Sequence, residues 1–320
     1  MAPPLVPGSE RIVAEGAVDA SDGRVRWAPA KSLWMSGITL SALFFGPLLF
    51  NWSAFVLFTA TTALTLCAGH SVGLHRRLIH RSFDCPRWLE RILVYLGVLV
   101  GMAGPMGMVR THDMRDWAQR QARCHGYFAH AGGFWGDGWR QMHCELQLAR
   151  PPRFAPEQAL TTDPFYRWLE RTWMAQQLPW AVLFYAVGGW PWVVWGVCVR
   201  VTVGVTGHWL VGHFAHRSGG QSWLVEGAAV QGFDVALAGV VSFGESWHNN
   251  HHAFPGSARI GLLPGQSDLG WRLIQAFERL GLARSIVTPE QLPPRPALRR
   301  VQAQKRAVRS QLPQGADDVA

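Results

Sequence analysis

Two stretches of this chain carry almost no charge, and they decide what it can fold into. Between Ser32 and Gly69 there is no Asp, Glu, Lys or Arg, and between Thr172 and His216 the only charged residue is Arg200. Runs of that length exceed the core helices of a soluble protein, so the chain reads as a polytopic membrane protein. Composition agrees: 48% of the 320 residues are hydrophobic and only 16% are charged, where a soluble domain carries about 25% charge. As one helix the first run would extend about 57 Å, roughly twice a bilayer core, so it must turn back. The turn is expected in GPLLFNW, at Pro47 and Asn51, and the second run is expected to fold the same way around GGWP (188–191). The expectation is an all-α integral membrane protein with four transmembrane helices in two hairpins, near 32–49, 53–72, 173–188 and 191–213.

Neither turn holds Lys or Arg, whereas the segment 73–171 between the hairpins carries fourteen Arg. Under the positive-inside rule this excess puts both termini and the middle segment in the cytoplasm. Residues 92–109 (ILVYLGVLVGMAGPMGMV) are also uncharged and barely long enough to cross. Gly101, Gly104, Pro105 and Gly107 weaken a straight helix there. A crossing would also strand His112 across the bilayer from His75 and His80, so this segment is expected to lie at the interface. Residues 1–31 have no apolar h-region and are expected to be a disordered or surface-lying cytoplasmic tail rather than a cleaved signal. A membrane domain is then expected over 32–285, followed by a basic, disordered tail over 286–320. The five cysteines are scattered without a CxxC pair, which argues against structural zinc and a disulfide framework. No internal repeat is visible, and no nucleic-acid partner is expected.

Most of the thirteen histidines gather beside the expected spans. His70, His75 and His80 follow the second span; His112, His125 and His130 lie in the middle segment. His208, His213 and His216 end the fourth span, and His248, His251 and His252 sit in GESWHNNHHAFP (244–255). At about 100° per residue, positions i, i+3 and i+4 share one helical face, so the last three converge on a small volume. Neutral imidazole suits iron, copper or zinc, and a carboxylate-poor nitrogen cluster disfavours magnesium and calcium. His75 and His80 are five apart, about 140° on a straight α-helix, and serve either neighbouring ions or, if the helix ends between them, one ion. A single histidine near a membrane is an ordinary interface residue. Several clusters at one face are different, because polar groups at that depth are costly unless used.

These residues resemble the integral-membrane fatty acid desaturases, in particular the stearoyl-CoA desaturase-like branch. HRRLIH (75–80) is similar to their HxxxxH box, and GESWHNNHHAFP to their GExxHNxHHxFP box. The resemblance extends over about 32–285 and includes the order of hairpins and boxes. LGWRLIQAFERLGLA (269–283) resembles the amphipathic helix that follows the last box in bacterial members. What the resemblance implies is a cytosolic helical cap with a histidine-box di-iron site, facing the cytoplasm of a bacterial inner membrane. Dioxygen would be the co-substrate, and two hydrogens would be removed from an acyl chain on a lipid, CoA or carrier protein. No HPGG-type haem module is visible, so electrons are expected from a separate ferredoxin, rubredoxin or cytochrome.

The second box departs from the family. HDMRD (112–116) stands where HxxHH is expected, with Arg115 and Asp116 in place of the adjacent histidines. Either Asp116 is a carboxylate ligand, or it pairs with Arg115 while His125 or His130 completes the shell. The family's Asn-x-x-x-His element on the fourth span is met only by His208 and His213, one residue further apart. By this resemblance His213 is the ligand candidate, His208 takes the Asn-like place, and His216 is an interface residue. His70 either orients His75 or is simply polar at a span end, and His143 is a surface residue. The expected metal ligands are His75, His80, His112, Asp116, His208, His213, His248, His251 and His252. Rival readings are a lipid hydroxylase, ketolase or acetylenase on the same scaffold, or a non-catalytic metal or haem protein of the membrane. Haem ligands would pair mid-bilayer, whereas these histidines gather at one end.

Overall fold

The uncharged runs become helices that leave much apolar surface outside. The computed structural model describes residues 11–301. Helix α1 (Pro29–Leu48) begins with a proline in its first turn, where a missing N–H costs nothing. Leu33, Leu43, Phe44 and Leu48 along it are all exposed, a surface that a lipid phase covers and water does not. Asn51 then caps helix α2 (Trp52–Ile79), its side chain accepting from the Ala54 N–H at 2.8 Å. The chain therefore restarts where the sequence placed its turn.

From Leu64 to Ile79 α2 winds more widely, as a π-helix with i→i+5 hydrogen bonds. Helix α3 (Arg87–Val98) packs against this part with almost no spacing. A Cβ on Gly69 would lie 2.3 Å from the Gly97 nitrogen, and one on Gly73 would lie 2.6 Å from the Leu93 carbonyl carbon. Only glycine permits that approach. The 92–109 stretch is split: α3 ends at Val98, the chain turns through Gly101 (φ 87°), and α4 (Pro105–Gln119) begins. Leu74, Leu78, Ile79, Val94, Val98 and Val109 form one buried cluster joining the three helices. Burial of each such side chain is worth about 1.5–3 kcal/mol, so the ends of α2 and α4 are firmly set.

Three shorter helices follow, α5 (Phe134–His143), α6 (Gln158–Thr161) and α7 (Pro164–Thr172). The second uncharged run is α8 (Gln177–Ala215), which breaks at Gly189 (φ 65°, ψ −160°). Arg200 donates to the Gln177 side chain and to the Leu99 carbonyl (2.6 Å). In a straight helix residues 177 and 200 would stand about 34 Å apart, so the two arms fold back on each other about GGWP. The one charged residue of the run is thus buried with partners for its guanidinium. Both α2 and α8 are long and apolar enough to cross a membrane.

Three expectations need correction. The fold is mostly helical rather than all-α, with six strands among the described residues: β1 (Ile12–Val13), β2 (Asp19–Trp27), β3 (Cys144–Arg150), β4 (Arg153–Phe154), β5 (Trp223–Val225) and β6 (Leu298–Arg300). They pair antiparallel as β1–β4, β2–β3 and β5–β6. Residues 11–31 are accordingly not a loose tail. Arg11 is 1% exposed and donates to the Leu78 and Ile79 carbonyls at 3.0 and 2.9 Å. It also meets Glu157 at 2.7 Å and Asp113 at 3.2 Å. Last-turn carbonyls have no partner within their helix and form the negative end of its dipole, so a distant guanidinium caps α2. Nor are residues 286–301 a loose tail, since they hold β6, and Arg295 donates to the His252 and Ala253 carbonyls at 2.7 Å each. Residues 1–10 and 302–320 of the expected tails lie outside the described residues.

Candidate metal centre

His75, His80, His112 and His251 bring one ring nitrogen each to within 4.8 Å of one another. The wide winding of α2 makes this possible. In a π-helix, with its i→i+5 hydrogen bonds, the residue at i+5 comes to within about 50° of residue i instead of the roughly 140° of a straight α-helix. The His80 N–H bonds the His75 carbonyl at 3.0 Å and the helix stops there. The two Nε2 atoms end 3.1 Å apart, a spacing that a straight α-helix could not give. His112 comes from α4, and His251 from the six-residue helix α9 (His248–Ala253).

A second group lies on the adjoining face of α9. His216, just past α8, and His248 approach through their Nε2 atoms at 3.1 Å, as do His248 and His252. The rings of His248 and His251, one from each group, are 5.4 Å apart. The two asparagines of HNNHH turn the other way and hold the short helix in place. Asn249 donates to the Trp223 and Gly232 carbonyls, and Asn250 to the Ile260 carbonyl and the Gln266 side chain, all within 2.9 Å. A six-residue helix makes few hydrogen bonds of its own, so these side chains supply its anchoring.

The donor set fits a transition metal. Bonds of about 2.1 Å to a shared ion would space ligand nitrogens roughly 3–3.4 Å apart, close to what the rings show. Burial, with the other histidines adding to it, holds His80, His248 and His251 well below the usual imidazole range, and His252 falls to about 4. Neutral rings with free lone pairs result. His112 differs: burial lowers it, but Asp116 and Asp113 outweigh that and raise it. Outer contacts fix several rings. The Glu245 carboxylate lies 2.5 Å from His75 Nδ1 and also accepts from Ser71 Oγ at 2.6 Å. His216 Nδ1 donates to the Gly212 carbonyl at 2.7 Å, leaving Nε2 as the free acceptor.

The family model described as fatty acid desaturase matches residues 50–260, a span that contains every histidine of both groups. The chain is 32% identical over 260 residues to the sn-2 palmitoyl-lipid 9-desaturase of Nostoc sp. (strain 36), covering 79% of this chain and 88% of that one. It is 34% identical over 265 residues to the sn-1 stearoyl-lipid 9-desaturase of Anabaena variabilis, covering 82% and 94%. Against an acyl-CoA 5-desaturase of Anemone leveillei the identity is 33% over 252 residues, 77% of this chain and 75% of the relative. The chain belongs to the fatty acid desaturase family. It is an oxidoreductase acting in lipid metabolism, a fatty acyl desaturase.

Within this desaturase the structure brings together six of the nine residues expected as ligands, and adds one. His216, read from the sequence as an interface residue, joins the second group. The helix ends at Ala215, so the His216 backbone (φ −103°, ψ 5°) leaves the helical path and turns the ring toward α9. His213 instead bonds Asp137 through Nδ1 at 2.7 Å, beside Trp209 and His130, which donate to or share the same carboxylate oxygen. His208 stands against His70, ring centroids 4.8 Å apart, outside both groups. Asp116 does not pair with Arg115, because neighbouring side chains on a helix point about 100° apart. It meets Arg120 one turn on at 3.0 Å and His112 Nδ1 at 3.9 Å, while Arg115 donates to Gln141 Oε1 at 2.9 Å. His125 accepts from the Tyr127 N–H at 3.1 Å, away from both groups. His130 stacks on His216 at 5.3 Å and 9° without joining its group. His143 is half-buried on Trp139 and bonded to Ser32 Oγ at 3.0 Å. Glu245 went unnoticed in the sequence, although it is the acidic residue of the third box itself.

Proposed function

We propose that this desaturase holds two iron ions, one in each histidine group. His75, His80, His112 and His251 would bind the first, and His216, His248 and His252 the second. The observation that carries this reading is the pair of imidazole clusters on adjoining faces of α9. Bound iron supplies the dioxygen reduction that acid–base side chains cannot. The protein's part is to hold and orient. Glu245 sets the tautomer and direction of His75, and the Gly212 carbonyl does the same for His216. Asp116, already engaged by Arg120, steadies the outer side of His112 rather than taking a ligand place. A cavity of about 200 Å³ opens beside the clusters, lined by Leu66, Met108 and Val211 as well as His75, His112 and His248. Its apolar walls receive a stretch of acyl chain next to the metal ligands and keep water out.

The arms of α8, the Asn51 restart before α2 and the Arg-rich middle segment together support four membrane passes with the centre on the cytoplasmic face. The acyl carrier is a lipid or a CoA thioester, in keeping with the relatives, and a separate small donor supplies electrons. Expression in a bacterial host lacking its own desaturase, followed by mass spectrometry of the lipids, tests the activity. New mono-unsaturated chains support it, and a lipid profile identical to the empty host overturns it.

A further inference from the structure

His70 on α2 and His208 on α8 meet edge to face, ring centroids 4.8 Å apart, and both line the same cavity. Neither belongs to either metal group. His70 is 8% exposed, and its Nδ1 is buried with no hydrogen-bond partner. His208 lies on the open wall of the cavity. Gln119 lines the cavity as well, its Oε1 likewise buried without a partner. A saturated chain could satisfy none of these groups, and a wall meant only for methylenes would be built from Leu or Val.

We propose that His70 and His208 form a hydrogen-bonding subsite that takes an oxygen-bearing group, a hydroxyl or ketone, on the acyl chain. A neutral imidazole offers one donor and one acceptor, so two facing rings match a hydroxyl in either sense and a carbonyl through its acceptor oxygen. Binding of a plain chain would displace water from both rings and replace none of its hydrogen bonds. This inference rests on the reading of the cavity as the acyl site.

The test is calorimetric titration of the purified, iron-loaded full chain with stearate and with a set of monohydroxystearates differing in hydroxyl position. At least one hydroxystearate is expected to bind about tenfold or more tighter than stearate, because polar groups left unpaired discriminate strongly. The double substitution His70→Leu with His208→Leu should erase that preference while stearate binding and iron content persist. His208→Gln, which keeps a donor and an acceptor, should retain part of it. Equal affinity of wild-type protein for stearate and every hydroxystearate overturns the subsite and leaves the acyl cavity standing. Loss of iron in His208→Gln overturns it in favour of a metal role. Failure of wild-type protein to bind any of these chains overturns the acyl cavity, and the subsite with it.

Discussion

Glu245 is the residue that most directly fixes one of the proposed metal ligands. Its carboxylate fixes His75 and is itself held by Ser71 and by Arg76 at 3.3 Å. Glu245→Gln keeps the shape but weakens the hold on the imidazole, and should lower iron affinity or turnover about 10–100-fold. Iron per protein and product formation in membranes expressing the variant would check this. Asp116→Asn should behave differently. It breaks the pair with Arg120 but removes no ligand, so iron occupancy should stay at the wild-type level, with reduced thermal stability as the main loss. An ion missing from Asp116→Asn would assign the carboxylate to the metal instead. At this scale the sequence was informative where spacing is local. The i, i+3, i+4 pattern brings His248, His251 and His252 close together whatever the tertiary structure, but it does not tell that His251 falls to one group and the i, i+4 pair His248 and His252 to the other. His216 was not legible, because its direction depends on where α8 ends. His213 and His208 sat at nearly the right spacing on a continuous helix, yet face Asp137 and His70.

At the scale of elements, the decisive feature is the widened half of α2, which converts a five-residue spacing into a shared site. No residue pattern announced the π-winding. Its physical setting is the Gly69 and Gly73 contact with α3, which requires a helix surface without side chains. The helix is then closed from outside by Arg11, whose guanidinium is shared between the last carbonyls of α2 and the buried Asp113. Arg11→Ala strands that carboxylate and those carbonyls, and a loss of about 3–5 kcal/mol is expected. Thermal unfolding of detergent-solubilised protein, followed by circular dichroism, would show a markedly lower midpoint. An unchanged midpoint would mean that the N-terminal strands are dispensable. The two-residue strand β1 leaves no periodic signal, and the nine-residue β2 (DASDGRVRW) is mostly polar and holds a glycine, which is why residues 11–31 read as a tail. The helical hairpin at Gly189, in contrast, followed from arithmetic on bilayer thickness and from GGWP alone.

For the whole molecule, the uncharged runs were enough to pick out the helices long and apolar enough to cross a membrane, and the boxes were enough to name the family. What the sequence withheld was the division of the histidines into two groups, which only the packing of α2, α4, α8 and α9 creates. That packing makes the metal-free protein sensitive to acid. Burial lowers His130 and His252 to about 4, from an ordinary 6.5. Both therefore take up protons more readily in the unfolded chain than in the folded one. Their contribution to stability is complete above pH 6.5 and is lost as the pH falls from there toward about 4. Denaturant titrations of chelator-treated protein across that window should show steadily falling stability, and a flat profile would argue that these rings are not buried. The central claim is that two imidazole clusters bind two irons used in desaturation. Its most direct measurement is iron per chain, with product formation, in purified wild-type protein and in His251→Ala. The account predicts two irons and active enzyme in the wild type, with lost iron and no product in the variant, because His251 belongs to the first group and sits next to the second. Normal iron content and normal product in His251→Ala would contradict it.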